Sequence, residues 1–196
     1  MHRTLFDTPI LNRLLRTFSV LFFRFNGWKI EGSLPPGSEK CVVVAAPHTS
    51  NWDLPCGLML AFALDFEAYW LGKVQLFRPP FRRLMMWFGG IPVQRDKSSK
   101  LVWETAQAIR QTTGRLQLIV SPEGTRSKTP TWKTGFYYIA LEAGVPLVLA
   151  FLDYEKKIGG IGTVFHPSGD IEADMRTIKA FYAPIKGKNA DQFDAG

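Results

Sequence analysis

CVVVAAPHTSNWD, residues 41–53, changes character within one short stretch. Residues 41–47 are an apolar run closed by Pro47, the pattern of a strand buried on both faces. HTSNWD then offers Thr49, Ser50 and Asn51, all good N-cap types, ahead of a segment, 51–63, that reads as a helix. A buried strand turning sharply into a helix is the building unit of an α/β fold.

The same alternation runs outward from this stretch. Residues 33–40 (SLPPGSEK) read as a loop. Residues 65–72 are a strand candidate, and a helix is expected from Pro79–Pro80 to Gly89–Gly90. Residues 91–93 suit a short strand, and 98–113 a helix with Val102, Ala106 and Ile109 on one face, stopped by Gly114. RLQLIVSP (115–122) is a strand that enters the loop EGTRSKTPTWKTG. Residues 134–143 read as a helix ending at Gly144, and 145–154 as another buried strand. Residues 162–166 suggest one more strand, and 170–182 a last helix before a polar tail. The expected architecture is a single α/β domain with a central, largely buried mixed sheet flanked by helices, plus an N-terminal amphipathic helix. No repeat and no linker interrupts it.

Length and composition fit that expectation. The chain has 196 residues, 46% of them hydrophobic and 21% charged, which suits one domain with a full core and argues against disorder. The net charge of +7 favours an anionic partner: nucleic acid, anionic lipid or a phosphorylated substrate. Cys41 and Cys56 have no zinc or CxxC spacing and read as buried, reduced thiols. No secretory signal is expected, because the early apolar stretch carries arginines and lacks a small-residue cleavage site. No stretch reaches the roughly 20 apolar residues of a membrane-spanning helix.

Residues 8–26 (TPILNRLLRTFSVLFFRFN) carry Leu11, Leu14, Leu15, Phe18, Leu21, Phe22 and Phe25 at helical spacing, interrupted by Arg13, Arg16 and Arg24. Such a basic, aromatic-rich helix either lies in a lipid headgroup region or packs its stripe on the core. The division drawn is residues 1–32 as a membrane-surface helix with its lead-in, and 33–196 as the main domain. The segment RPPFRRLMMWF (78–88) is open to the same two readings, lipid contact or a core face of Leu84, Trp87 and Phe88.

His48 falls between strand and helix, at the end of a strand where α/β folds bind ligands. Five residues of ideal helix turn through roughly 500°, leaving His48 and Asp53 about 140° apart. They meet only if His48 lies in the turn and Asp53 in the first helical turn. Asp53 could then orient the imidazole and leave its other nitrogen free to take a proton. The structural alternative is a capping box, Ser50-x-x-Asp53, beside an ordinary loop histidine.

Other candidates sit at the ends of other strands. In SPEGTRS (121–127), Glu123 offers a carboxylate, Gly124 a close backbone approach and Arg126 a fork for phosphate. The alternative is a turn in which Arg126 pairs with Glu123 or a surface acid. Arg95 in GGIPVQRD (89–96) and Lys73 in WLGK are further cations. Lys73, Arg95 and Arg126 could share an anion pocket beside His48. His166 has no evident partner.

At this point the chain resembles a known group. HTSNWD is similar to the His-x4-Asp motif of the glycerolipid acyltransferase superfamily, which includes the lysophosphatidic acid acyltransferases. GGIPVQRD, SPEGTRS (Glu123, Gly124, Thr125, Arg126 and Ser127) and GVPLVLA (144–150, matching at Val145 and Pro146) resemble the family's next three motifs, in the same order. The resemblance spans about residues 40–155. It implies transfer of a fatty acyl group from acyl-CoA or acyl carrier protein to the hydroxyl of a lysophospholipid, with no bound cofactor or metal. His48 would be the general base and Asp53 its support, with Glu123, Gly124, Thr125, Arg126, Arg95 and Lys73 on the acceptor side. It also implies a peripheral protein at an anionic membrane, at the cytoplasmic face of the inner membrane. Leu149 stands where the family often has a second proline, and one helix precedes the domain. Both leave the acceptor open between lysophosphatidic acid and a non-phosphate lyso-lipid, such as an amino-acid-containing one. A non-catalytic lipid- or nucleic-acid-binding module is the reading of another class. No RNA-binding signature supports nucleic acid.

Overall fold

The computed structural model describes residues 4–93 and 98–195. Its centre is a sheet of seven described strands: β1 (Lys29–Glu31), β2 (Lys40–Ala45), β3 (Ala68–Lys73), β4 (Gly90–Val93), β5 (Leu116–Val120), β6 (Leu147–Asp153) and β7 (Ile158–Phe165). The described α-helices are α1 (Pro9–Phe25), α2 (Asp53–Ala63), α3 (Arg82–Trp87), α4 (Ser98–Gln111), α5 (Gly135–Ala143) and α6 (Ile171–Tyr182). The strand order is β1-β7-β6-β2-β5-β3-β4. The five strands from β6 to β4 run parallel, β7 runs against β6, and β1 is parallel to β7. The expected mixed α/β sheet is therefore what the chain builds.

β2 lies in the middle, and its apolar run is used on both faces. Val42 and Val44 join a core with Ile109 of α4, Phe136 of α5 and Tyr182 of α6. Cys41 and Val43, pointing the other way, pack with Ala61 and Phe62 of α2 and against Leu11 and Leu15 of α1. Both cysteines are free and buried, as expected. Burial pushes the Cys41 thiol up to about 12, so it stays an inert apolar group.

Register then places the loops. β2 is flanked by β5 (Val44 opposite Val120) and by β6 (Ala45 opposite Ala150). All three run the same way and end at one edge. The loops after β2 and β5 and the turn after β6 are therefore neighbours, although they are far apart in sequence.

One strand was not expected and another begins earlier than expected. β1 is too short to show a period. β7 begins earlier than residue 162, because its IGGIG start reads as a loop. The glycine is required there: a Cβ on Gly160 would stand 2.0 Å from the Glu31 carbonyl oxygen of β1. α3 is shorter than the span 79–90, with Pro79 and Pro80 in the turn before it. Leu84 and Trp87 are not core residues, while Phe88 packs at the margin of the core beneath α2.

The apolar stripe of α1 divides between the two readings of the sequence. Phe23 is buried, with its ring 5.8 Å from Trp28, and Leu11, Leu15 and Phe22 are half-buried. Ile10, Leu14, Phe18, Leu21 and Phe25 follow one another at helical spacing on the exposed side. The helix is anchored by one side and presents a second apolar stripe outward. Phe23→Ala should therefore cost about 3–5 kcal/mol of unfolding free energy, whereas Phe25→Ala should change it by less than about 0.5 kcal/mol. Urea unfolding of both variants checks this, and equal losses would contradict the division.

Candidate functional site

The loop after β2 carries His48, and α2 begins at Asp53. This is the arrangement the spacing required, with the histidine in the turn and the carboxylate in the first turn of the helix. His48 Nδ1 lies 3.3 Å from Asp53 Oδ2. The same oxygen accepts hydrogen bonds from the backbone amides of Thr49 and Ser50, each 2.7 Å. Asp53 Oδ1 accepts from the Tyr154 hydroxyl at 2.9 Å. The pairing and the turn-holding readings of this stretch therefore coexist in the geometry, because one carboxylate holds both the turn and the ring. The helix itself starts differently from the expectation. Its N-cap is Trp52, without a side-chain cap, and Ser50 Oγ instead accepts from the Trp52 amide at 2.9 Å.

The main chain at His48 is held from the other side. Its amide donates to both oxygens of Glu123, each 3.0 Å, and Ser121 Oγ donates to the same carboxylate at 3.0 Å. Glu123 is thus a buried brace of the His48 turn and does not pair with Arg126. The Arg126 guanidinium donates to Asn51 Oδ1. Gly124 has a φ of +66°, and a Cβ there would meet the Lys133 side chain at 2.9 Å. The Thr125 hydroxyl accepts from the Ser127 amide.

Electrostatics distinguishes the two carboxyls. Burial raises Asp53, but hydrogen bonds from His48, Ser50, Tyr154 and Thr49 outweigh it and hold the group below its ordinary value. Burial also raises Glu123, and there its two donors offset only part of the effect. Tyr154 is pushed far up, first by burial and then by the Asp53 charge, so its hydroxyl keeps the proton it donates.

A cavity of about 370 Å³ opens beside the turn, between Ser50, Asn51, Arg126 and the segment after α6. The polar tail expected there is part of the site. Asn189 donates from its backbone to Thr49 Oγ1 at 3.1 Å and from its side chain to the Thr49 carbonyl at 2.8 Å. Tyr154 is packed edge-on against Trp28 at 5.0 Å. Sequence reading missed Tyr154 and the tail because neither has a local signal. The one available hint was that Tyr154 ends a buried strand.

The structure brings His48, Asp53, Glu123, Gly124, Thr125 and Arg126 into one region. Lys73 ends β3, which is separated from β2 by β5, and it does not line this cavity. Arg95 lies outside the described residues. Leu149 is buried in the core between the sheet and α5–α6, so this departure bears on strand packing and not on the cavity wall. His166 is exposed. Among the described residues no cluster of His, Cys, Asp and Glu could hold a metal ion.

These features define an α/β domain with a His–Asp pair at the carboxyl edge of a mixed sheet. The chain belongs to the Acyltransferase family, whose model matches residues 28–150. In three dimensions it is similar to the crystal structure of the 1-acyl-sn-glycerophosphate (LPA) acyltransferase PlsC from Thermotoga maritima. That similarity has a TM-score of 0.57 and 19% identity, over 88% of this chain and 81% of that one, and it shows a shared fold. No curated protein matches the chain in sequence. Tyr154 and the tail fall outside the matched family span.

Asp53 is held below its ordinary value of 3.8, so the stability it adds is present above that value and is lost as pH falls through the lower, folded value. Tyr154→Phe removes one of the bonds holding it down. NMR titration should then show the Asp53 carboxyl moving up, and the acid-unfolding midpoint should shift to higher pH. A midpoint that stays or falls would count against this role for Tyr154.

Proposed function

We propose that this chain transfers a fatty acyl group from a thioester, acyl-CoA or acyl carrier protein, to the hydroxyl of a lysophospholipid, with lysophosphatidic acid as the leading acceptor. The observation that carries the reading is the His48–Asp53 pair within an acyltransferase-family fold. With Nδ1 turned to the carboxylate, the lone pair on Nε2 is the one available to a substrate hydroxyl. As the hydroxyl oxygen attacks the thioester carbonyl, Nε2 takes its proton, the carbon–sulfur bond breaks, and the proton passes to the departing thiolate. A thioester already has a good leaving group, so a base and no covalent enzyme intermediate is sufficient. Asp53 stabilises the imidazolium formed on the way. Glu123 fixes the backbone from which that ring projects. Arg126, at the cavity, suits a phosphate on the acceptor. The similarity to a protein described as an LPA acyltransferase supports that acceptor. Lys73 and Arg95 are retained as additional acceptor-side cations.

His48→Ala should lower thioester-dependent acylation by about 10²–10⁴-fold while circular dichroism and the melting transition are preserved. Product formation followed by mass spectrometry, crossing both donor types with a panel of lyso-lipids, measures this and identifies the acceptor. Activity equal to the unmodified protein would overturn the role of His48.

The outward stripe of α1 supports peripheral contact with an anionic bilayer, which is where both an acyl chain and a lyso-lipid reside. Among the described residues no helix is long and apolar enough to cross a membrane. Arg13 and Arg24 on the same helix suit headgroup phosphates. Replacing Leu14, Phe18 and Leu21 by Ser should reduce co-sedimentation with vesicles containing anionic lipid, without unfolding the domain. Retention at the unmodified level would remove the helix from membrane contact.

A further inference from the structure

We infer that the segment after α6 completes an oxyanion-binding pocket beside His48, and that Lys188 is a ligand for the acceptor's phosphomonoester. The inference deepens the proposed function and rests on it for the identity of the acceptor. The pocket joins three parts of the chain: Ser50 and Asn51 from the turn after β2, Arg126 from the loop after β5, and Lys188, Asn189 and Gln192 from the tail. Two of these side chains are cations, and among the described residues no carboxylate lines the cavity. The rest of the lining is the amides of Asn51, Asn189 and Gln192, the hydroxyls of Thr49 and Ser50, and the Trp52 ring, and the amides and hydroxyls can donate to phosphate oxygens.

The tail is pressed onto the site by its own chemistry. The Tyr154 amide donates to the Lys186 carbonyl at 2.9 Å. Gly187 passes so close to Thr49 that a Cβ would stand 2.6 Å from Thr49 Oγ1, and only glycine allows this approach. Asn189 then bonds Thr49 twice. Beyond it, the Trp132 indole donates to the Asp194 carbonyl at 3.1 Å, and Lys128 pairs with the Asp194 carboxylate at 3.7 Å. Lys188 is therefore delivered by a fixed backbone.

Its ammonium is held over two rings, 5.0 Å from the centre of Trp52 and 5.9 Å from that of Tyr154. Ring faces orient a cation without neutralising it, and no ion pair with an acid occupies Lys188 among the described residues. A lysine steered in this way, lining the same small cavity as an arginine, matches a dianionic group better than a carboxylate. The cavity adjoins the turn that carries His48. A headgroup phosphate placed there puts the rest of a glycerol acceptor beside the base.

The test uses the full chain, as purified, with Lys188→Ala and Lys188→Arg variants. Glycerol 3-phosphate, a soluble headgroup probe, is titrated by NMR, and steady-state kinetics are measured with lysophosphatidic acid and acyl-CoA. Lys188→Ala is expected to weaken probe binding and raise the KM for lysophosphatidic acid by about tenfold or more, the scale of one lost charge-assisted contact. The KM for acyl-CoA and the melting transition should hold, and Lys188→Arg should recover most of the loss. Unchanged probe binding in Lys188→Ala would overturn the proposal. A rise in KM for acyl-CoA alone would also overturn it, by assigning the lysine to phosphates of the donor. If the unmodified protein acylates none of the lyso-lipids, the proposed function fails, and the probe titration still decides the pocket: binding that Lys188→Ala abolishes upholds the anion site, and no binding to the unmodified protein ends it.

Discussion

The Asp53 carboxylate has more partners than a carboxylate on a protein surface retains. One oxygen takes two backbone amides and faces the His48 ring, and the other takes the Tyr154 hydroxyl. A buried charge of this kind is tolerated only because its lone pairs are matched, and the matching fixes the geometry around it. The turn cannot open without releasing the carboxylate, and the ring cannot swing without losing its partner. Tyr154 in turn belongs to the strand end that also holds the tail. The site is thus a set of mutual constraints centred on one acid.

Glu123 supplies the complementary constraint. It is buried, that burial raises its pKa and so disfavours the charged form, and it bonds the His48 amide rather than a cation. Two carboxylates, one following β2 and one following β5, therefore grip the same turn: Asp53 through the His48 ring and the Thr49 and Ser50 amides, Glu123 through the His48 amide. The central position of β2 makes this feasible. Only a strand with parallel neighbours on both sides can have loops from each closing on its own.

The outer apolar stripe of α1 and the cationic cavity follow from separate features of the sequence, yet both suit the proposed acyl transfer to a lyso-lipid. A lyso-lipid has an apolar tail and an anionic head. A protein acting on one gains from an apolar surface near its site and from a polar pocket that excludes the tail. The basic excess of the chain is spread over several segments of the sequence.

The sequence by itself determined the elements that rest on local periodicity and on a motif: the buried β2 run, most helices, and the turn-then-helix placement of His48 and Asp53. It determined them because burial on both faces and N-terminal turn chemistry leave short-range signatures. The three-residue β1 and the glycine-rich start of β7 had no such signature, since each is a strand only through its neighbour. Whether Asp53 capped a turn or oriented a histidine could not be separated along the chain, and in space it does both. Glu123 as a brace, Tyr154 as the second partner of Asp53, and the tail with Lys188 were decided by tertiary structure alone. Their contacts link residues dozens to more than a hundred positions apart, and parallel register and packing bring them together. No spacing rule within one segment encodes such contacts.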